Sequence, residues 1–191
     1  DSKPANWWYD DGQDWYFFKD GKKHTGLASD NSGEKYFVNG KYANGVFEGR
    51  TYKDGKEVDV EKAAVKLVKA VKTGDYNLMS VDELKKAIDG KEEMVIIDTM
   101  PAKSFEKSHV PSAVNAVLPV KVEDVKPEEK AAFLKALGDN KDKKIVVYCG
   151  FVGCERSHVG AVLAKEAGFK NVYRFPGGIA AWVDAGNSVE K

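Results

Sequence analysis

Cysteine is scarce in this chain, with two in 191 residues. That is too few for a disulfide framework, and it leaves one bridge, one reactive pair or two unrelated thiols. The three histidines are scattered and no Cys-x-x-Cys occurs, so there is no zinc pattern. Neither sign of charge is in excess, since Lys+Arg and Asp+Glu each number 30. That balance argues against a polyanion-binding surface and so against a nucleic-acid partner. No apolar run approaches the roughly 18 residues of a membrane-spanning helix. Gly-x-Gly-x-x-Gly and P-loop stretches are also missing. The chain opens Asp1-Ser2-Lys3-Pro4 without methionine, as expected of a mature form after leader removal or of a trimmed chain.

What is present divides into two compositions. Residues 1–57 hold Trp7, Trp8 and Trp15, three of the four tryptophans, together with most of the tyrosines. Turn pairs recur at Asp11-Gly12, Asp20-Gly21, Ser32-Gly33, Asn39-Gly40, Asn44-Gly45 and Asp54-Gly55. Short aromatic runs between such turns predict β-hairpins. YFFKDGKKHTG at 16–26 returns as YFVNGKYANG at 36–45, and TYKDGK at 51–56 begins a third copy. A period near 20 residues predicts small stacked hairpins. The segment resembles the aromatic/Gly repeats of cell-wall-binding and other secreted bacterial proteins, including the choline-binding repeat. That resemblance implies either a packing and spacer module or a ligand-binding one. Both place the chain outside the cytoplasm, secreted, periplasmic or in the cell envelope, with the cell wall or an envelope protein as a partner.

Residues 58–75 read as a linking helix, with Ala64, Val65, Val68 and Val71 on one stripe and lysines opposite. From 76 to 191 strand and helix patterns alternate. Ser80 and Glu83 form a capping box before VDELKKAIDG. EMVIIDT, AVNAV, KKIVVYC and NVYRF read as strands, and AKSFEKSHV, KPEEKAAFLKALG and SHVGAVLAKEAGF as helices. The fold class expected is α/β, a mainly parallel sheet covered by helices on both faces, beside a small β-hairpin-rich N-terminal module. In such sheets the site lies at the carboxyl ends of the strands.

Both cysteines fall there, in the loop Cys149, Gly150, Phe151, Val152, Gly153, Cys154, Glu155, Arg156, Ser157. Cys149 ends a strand just before a helix, where loop amides and the helix N-terminus are expected to favour a thiolate. Gly150 and Gly153 let the backbone curl, and Arg156 adds a fixed positive charge. A thiolate so placed attacks sulfur or a disulfide, or holds a persulfide.

Four segments carry a resemblance to a single rhodanese (sulfurtransferase) domain over residues 77–188: MSVDELKKAI, VIIDTMPAKSFEKSHVPSAVNA, IVVYC and GFKNVYRFPGGIAAW. The resemblance implies that Cys149 takes sulfane sulfur from thiosulfate, polysulfide or a protein persulfide. It would pass that sulfur to cyanide, a thiol or a protein acceptor, with no metal or organic cofactor. It places Arg156 and Ser157 on the family's loop-closing pair, Asp98 on the aspartate ending the second core strand, and His109 and Trp182 in structural positions. His158, beside them at the helix start, is expected either to assist in proton transfer or to face solvent as a cap. His24 is expected at the surface.

Three departures from the family pattern stand out. Six residues separate Cys149 from Arg156, more than in the family's usual loop, which predicts a wider pocket. Thr99-Met100 replaces the family's basic residue after Asp98. Cys154 and Glu155 bring a second thiol and a carboxylate into the loop. Glu155 opposes an anionic donor if it points inward and is a solvated charge if it points out. Cys154 is a resolving thiol, a buried small apolar residue or half of a permanent bridge. Besides sulfurtransfer, a thiol–disulfide or polysulfide oxidoreductase using Cys149 and Cys154, or a non-catalytic envelope-binding module, remains open.

Overall fold

The structure, a computed structural model, describes residues 6–191. They form two compact units, one ending at Val60 and one running from Glu61 to Lys191.

The first unit is three antiparallel sheets of three strands each. They comprise β1 (Asn6–Asp10), β2 (Trp15–Lys19) and β3 (Lys22–Lys23); β4 (Gly26–Asp30), β5 (Gly33–Val38) and β6 (Lys41–Tyr42); and β7 (Gly45–Phe47), β8 (Arg50–Lys53) and β9 (Lys56–Glu57). Asp20-Gly21, Asn39-Gly40 and Asp54-Gly55 all have positive φ at both residues, the backbone that a two-residue hairpin turn of matching twist demands. Each later turn docks on the sheet before it. The Phe17 N–H donates to the Gly40 carbonyl at 2.7 Å, and the Tyr36 N–H to the Gly55 carbonyl at 2.7 Å. Phe17 stacks on Phe37 (4.5 Å) and Tyr36 on Tyr52 (4.6 Å). His24, expected at the surface, is half-buried edge-on to Phe17 and Phe37, because the docked turn folds it under.

The second unit holds α1 (Val60–Gly74), β10 (Asn77–Leu78), α2 (Val81–Asp89), β11 (Met94–Asp98), α3 (Ala102–Lys107), β12 (Ala113–Asn115), α4 (Pro127–Leu137), β13 (Lys144–Tyr148), α5 (Arg156–Glu166), β14 (Asn171–Phe175) and α6 (Gly178–Asp184). The sheet order is β10-β14-β13-β11-β12, and every pairing is parallel. The short strands β10 and β12 form the two edges, which limits the unpaired edge exposed.

Side chains alternate across the central strands, so the sheet has two cores. One face packs Ile97, Ile145, Val147 and Val172 against Phe133, Val159 and Leu163. The other packs Ile96, Val146, Tyr148 and Phe175 against Leu84 and Trp182. The Ser80–Glu83 capping box starts α2 as expected. The helix α6 had no counterpart in the strand and helix pattern read from the sequence. In α1 the stripe also differs. Ala70 and Gly74 are buried and Val71 packs on the first core, whereas Val65 and Val68 are exposed. Gly74 decides this, because its missing side chain lets the Tyr76 ring close in, 2.4 Å from where a Cβ would stand.

Candidate active site

Residues 149–155 bridge β13 and α5 at the carboxyl end of the sheet. Cys149 is the first residue past β13 and is fully buried. By alternation with Ile145 and Val147 it lies on the α5 face. Its Sγ–H has two acceptors at 3.2 Å, the Cys154 carbonyl and the Ser157 hydroxyl.

The loop then folds back. The Cys154 N–H donates to the Phe151 carbonyl at 2.9 Å, and the two sulfurs come to influence each other. Both are free thiols in this arrangement.

Amides of the loop and helix start serve both sulfurs, the Ser157 N–H reaching that of Cys149. The Gly150 and Arg156 amides donate to the Cys154 sulfur. The Cys149 thiol as donor, those amides and the Arg156 charge bring Cys154 down to about 6 against the opposing effect of burial. Burial, with the Cys154 sulfur beside it, pushes the Cys149 thiol well up, against hydrogen bonds from Ser157. The surroundings thus favour the charged form at half-buried Cys154 and disfavour it at Cys149. The reason is desolvation: a sulfur at the end of the central strand sees no water, and a sulfur at the helix start sees amides and some solvent.

The N-terminus of α6 clamps this loop from the other side. The Ile179 and Ala180 amides donate to the Cys149 and Gly150 carbonyls at 3.0 and 2.9 Å. Gly178 makes the approach possible. Its φ is +62°, and a Cβ there would stand 2.2 Å from the Cys149 carbonyl oxygen. Met100, at the position where the family has a basic residue, packs its thioether on Gly150, and Phe151 lies over Gly153. Both glycines of the loop are thus covered by apolar side chains.

The remaining expected residues separate into two groups. Ser157 is buried beside Cys149. Glu155 is neither free inside nor solvated: its carboxylate lies 3.0 Å from Lys66 Nζ and 4.0 Å from Arg174 Nη2. His158 is no solvent cap, since its Nδ1 pairs with the Tyr76 hydroxyl at 2.9 Å, and burial followed by Arg174 lowers its pKa. The Arg156 guanidinium donates to the Leu118 carbonyl. Asp98 shares the opposite face of the sheet with Tyr148 and accepts from the Met100 N–H at 2.8 Å. It is not brought together with either sulfur. His109 stacks on Phe105 and Trp182 is buried, both in structural roles.

Sequence reasoning missed Arg174 and Tyr76. Arg174 is 1% exposed on β14. Its Nε donates to the Ser157 hydroxyl at 2.9 Å, Nη2 to the Cys154 carbonyl at 3.0 Å and Nη1 to the Tyr76 hydroxyl at 3.3 Å. A usable signal was present, because an arginine inside the apolar strand NVYRF stands two residues from Val172 and so on its core face. Tyr76, at a helix-to-strand junction, carries no such signal. Among the described residues no cluster of His, Cys, Asp or Glu could hold a metal ion, and no helix is long and apolar enough to cross a membrane.

Comparison with known proteins bears on this geometry. A relative, the tRNA uridine(34) hydroxylase of Photorhabdus laumondii, is 30% identical over 109 residues, covering 56% of this chain and 28% of that protein. The chain thus spans little more than a quarter of that relative's length. Thiosulfate sulfurtransferase from Pseudomonas aeruginosa superposes with a TM-score of 0.52 at 22% identity, over 68% of this chain and 22% of that one. The polysulfide-sulfur transferase of Wolinella succinogenes gives 0.50 at 19% identity, over 70% and 93%. At these identities the two structures speak for the fold. The rhodanese-like domain model matches residues 80–185, more than half of the chain and all of the loop described above, and the chain belongs to the rhodanese-like domain family.

Proposed function

We propose that this chain is a sulfurtransferase that carries sulfane sulfur as a persulfide on Cys149, with a polysulfide or a protein persulfide as the better-suited donor. The observation that carries the reading is the position of Cys149: it closes the central parallel strand, under the α5 N-terminus, within reach of Ser157 and Cys154. In the reaction the Cys149 thiolate attacks the donor's terminal sulfane sulfur, the donor S–S bond breaks, and the remainder leaves with the electron pair. An acceptor thiolate or cyanide then takes the outer sulfur and frees Cys149. The apolar side chains of Phe151 and Met100 packed on the loop suit a polarizable sulfur chain better than a hydrated dianion such as thiosulfate. The chain is taken to work outside the cytoplasm, at the cell wall or beside an envelope protein, on the strength of the aromatic, Gly-turn composition of residues 1–57.

A second reading is favoured by the thiol pair itself. With Cys154 as the thiolate and hydrogen-bond partner of Cys149, it can attack the inner sulfur of a Cys149 persulfide. That forms a Cys149–Cys154 disulfide and expels hydrosulfide, and an external dithiol reductant then restores both thiols.

One experiment tests both. The reduced protein is incubated with polysulfide or thiosulfate and analysed by intact mass and peptide mapping. One added sulfur atom on Cys149, removed by cyanide, supports the first reading. Hydrosulfide release in step with a Cys149–Cys154 disulfide, lost in Cys154→Ser, supports the second. No sulfur on Cys149 and no disulfide with either donor refutes both.

A further inference from the structure

Arg174 is buried in a way that stability alone does not explain. A guanidinium taken out of water needs a close carboxylate or a full set of acceptors, and an apolar side chain of similar size is often as good or better. The carboxylate available here, Glu155, stands at the loose distance of 4.0 Å and lies closer to Lys66. The other partners of Arg174 are neutral: the Ser157 and Tyr76 hydroxyls and the Cys154 carbonyl. The cation thus sits beneath the cysteine loop with its carboxylate partner only at 4.0 Å. Its strand position pairs with Val147, which puts it on the same face of the sheet as Cys149. Ser157 Oγ joins the two, 2.9 Å from Arg174 Nε and 3.2 Å from Cys149 Sγ.

We propose that Arg174 is the positioning counter-charge of the cysteine loop, acting through the Ser157 hydroxyl to hold a sulfur anion on Cys149. The proposal rests on the sulfur-carrying role of Cys149. In the resting form the Cys149 thiol donates to Ser157 Oγ. On activation its proton passes to the Cys154 thiolate, which becomes the thiol, so charge and protons balance within the loop. The Ser157 hydroxyl then rotates to donate to the Cys149 anion and keeps accepting from Arg174. No heavy atom has to move. Arg174 thereby supplies, from the last strand, the positive charge lost where Thr99-Met100 follows Asp98. The charged and titratable groups around it are Glu155, Tyr76, His158 and Cys154, with Lys66 behind Glu155 and Arg156 beside Cys154.

The test is the pH profile of Cys149 loading by polysulfide, read by mass spectrometry, in Arg174→Met, Arg174→Lys, Ser157→Ala and the Met/Ala double variant. Circular dichroism reports whether each is folded. Loss of a charge-assisted bond should slow loading at neutral pH about tenfold or more in Arg174→Met and move the profile to higher pH. Lysine should restore part of the rate, since it keeps the charge and loses the fork. Ser157→Ala should shift the profile the same way and add little in the Met background. A folded Arg174→Met with an unmoved profile overturns the proposal, as do simply additive effects. Should Arg174→Met not fold, an unmoved profile in Ser157→Ala overturns it equally. If the wild-type chain loads no sulfur, the functional reading falls. The pH midpoint of Cys149 alkylation in the same variants then decides the counter-charge alone, with an unshifted midpoint refuting it.

Discussion

Replacing Gly178 by alanine tests whether the close approach of α6 to the cysteine loop holds that loop in place. Two costs separate. The first is conformational: φ is +62°, and a side chain in the left-handed region costs about 1 kcal/mol. The second is steric. The new Cβ would stand 2.2 Å from the Cys149 carbonyl oxygen and 2.8 Å from the Gly150 carbonyl carbon. Both are backbone atoms, so no side chain can swing away, and α6 must retreat by roughly 1 Å to reach ordinary contact. That retreat breaks the bonds from Ile179 and Ala180 to the loop carbonyls, each worth about 1 kcal/mol and more if the carbonyl stays dry. The total is about 3–5 kcal/mol. Gly168→Ala is the control: its φ is +87° and nothing lies within 4 Å of the added Cβ, so only the conformational cost of about 1 kcal/mol applies. Urea unfolding followed by helical circular dichroism reports on the second unit, because the described helices begin at Val60 or later. At a slope of about 2 kcal/mol per molar urea, Gly178→Ala should lower the midpoint by about 2 M and Gly168→Ala by about 0.5 M. Equal shifts would refute the argument that the Cys149 carbonyl, and not the backbone angle, demands glycine.

Alkylation of Cys154 should rise through pH 6, where its thiolate forms. Cys149, protonated and fully buried, should stay unlabelled until higher pH. Peptide mapping after iodoacetamide checks the order, and labelling of Cys149 first contradicts it. Cys154→Ser removes the neighbouring sulfur that raises Cys149, so Cys149 should then label at lower pH than in the wild type. His158 is held below its ordinary 6.5 by burial and by Arg174. The unfolded chain therefore takes up more protons than the folded one between 6.5 and the folded value. Stability contributed by neutral His158 is complete above 6.5 and is lost as pH falls through that window. Urea midpoints measured from pH 7.5 to 5 should fall less steeply in His158→Asn than in the wild type, and parallel curves would contradict this.

Much of the second unit was legible because its elements are local. The Ser80–Glu83 capping box, the β-branched run ending at Cys149 and the small-residue helix after it each state their conformation within a few residues. The parallel sheet follows from their alternation. The hairpin turns of residues 1–57 were equally local, since Asp-Gly and Asn-Gly pairs meet a backbone requirement of their own. Where the reading missed, distance along the chain was the reason. The buried stripe of α1 is chosen by Tyr76 closing on Gly74, and His24 is half-buried because a turn one sheet later folds over it.

The site divides the same way. That two thiols share a loop at the end of a core strand, with Ser157 beside them, is a matter of sequence. Which sulfur carries the charge is not. Cys149 is the more obvious thiolate when read along the chain, whereas in the fold burial pushes its pKa up and the amides of Gly150 and Arg156 help lower that of Cys154. Arg174 reaches the loop from a strand 18 positions past Arg156, and Tyr76 from far ahead of it. Sequence thus set the chemical inventory and the local backbone, because those depend on neighbours in the chain. The tertiary structure set charge and proton placement, because desolvation and hydrogen bonding depend on which distant groups are packed around each sulfur.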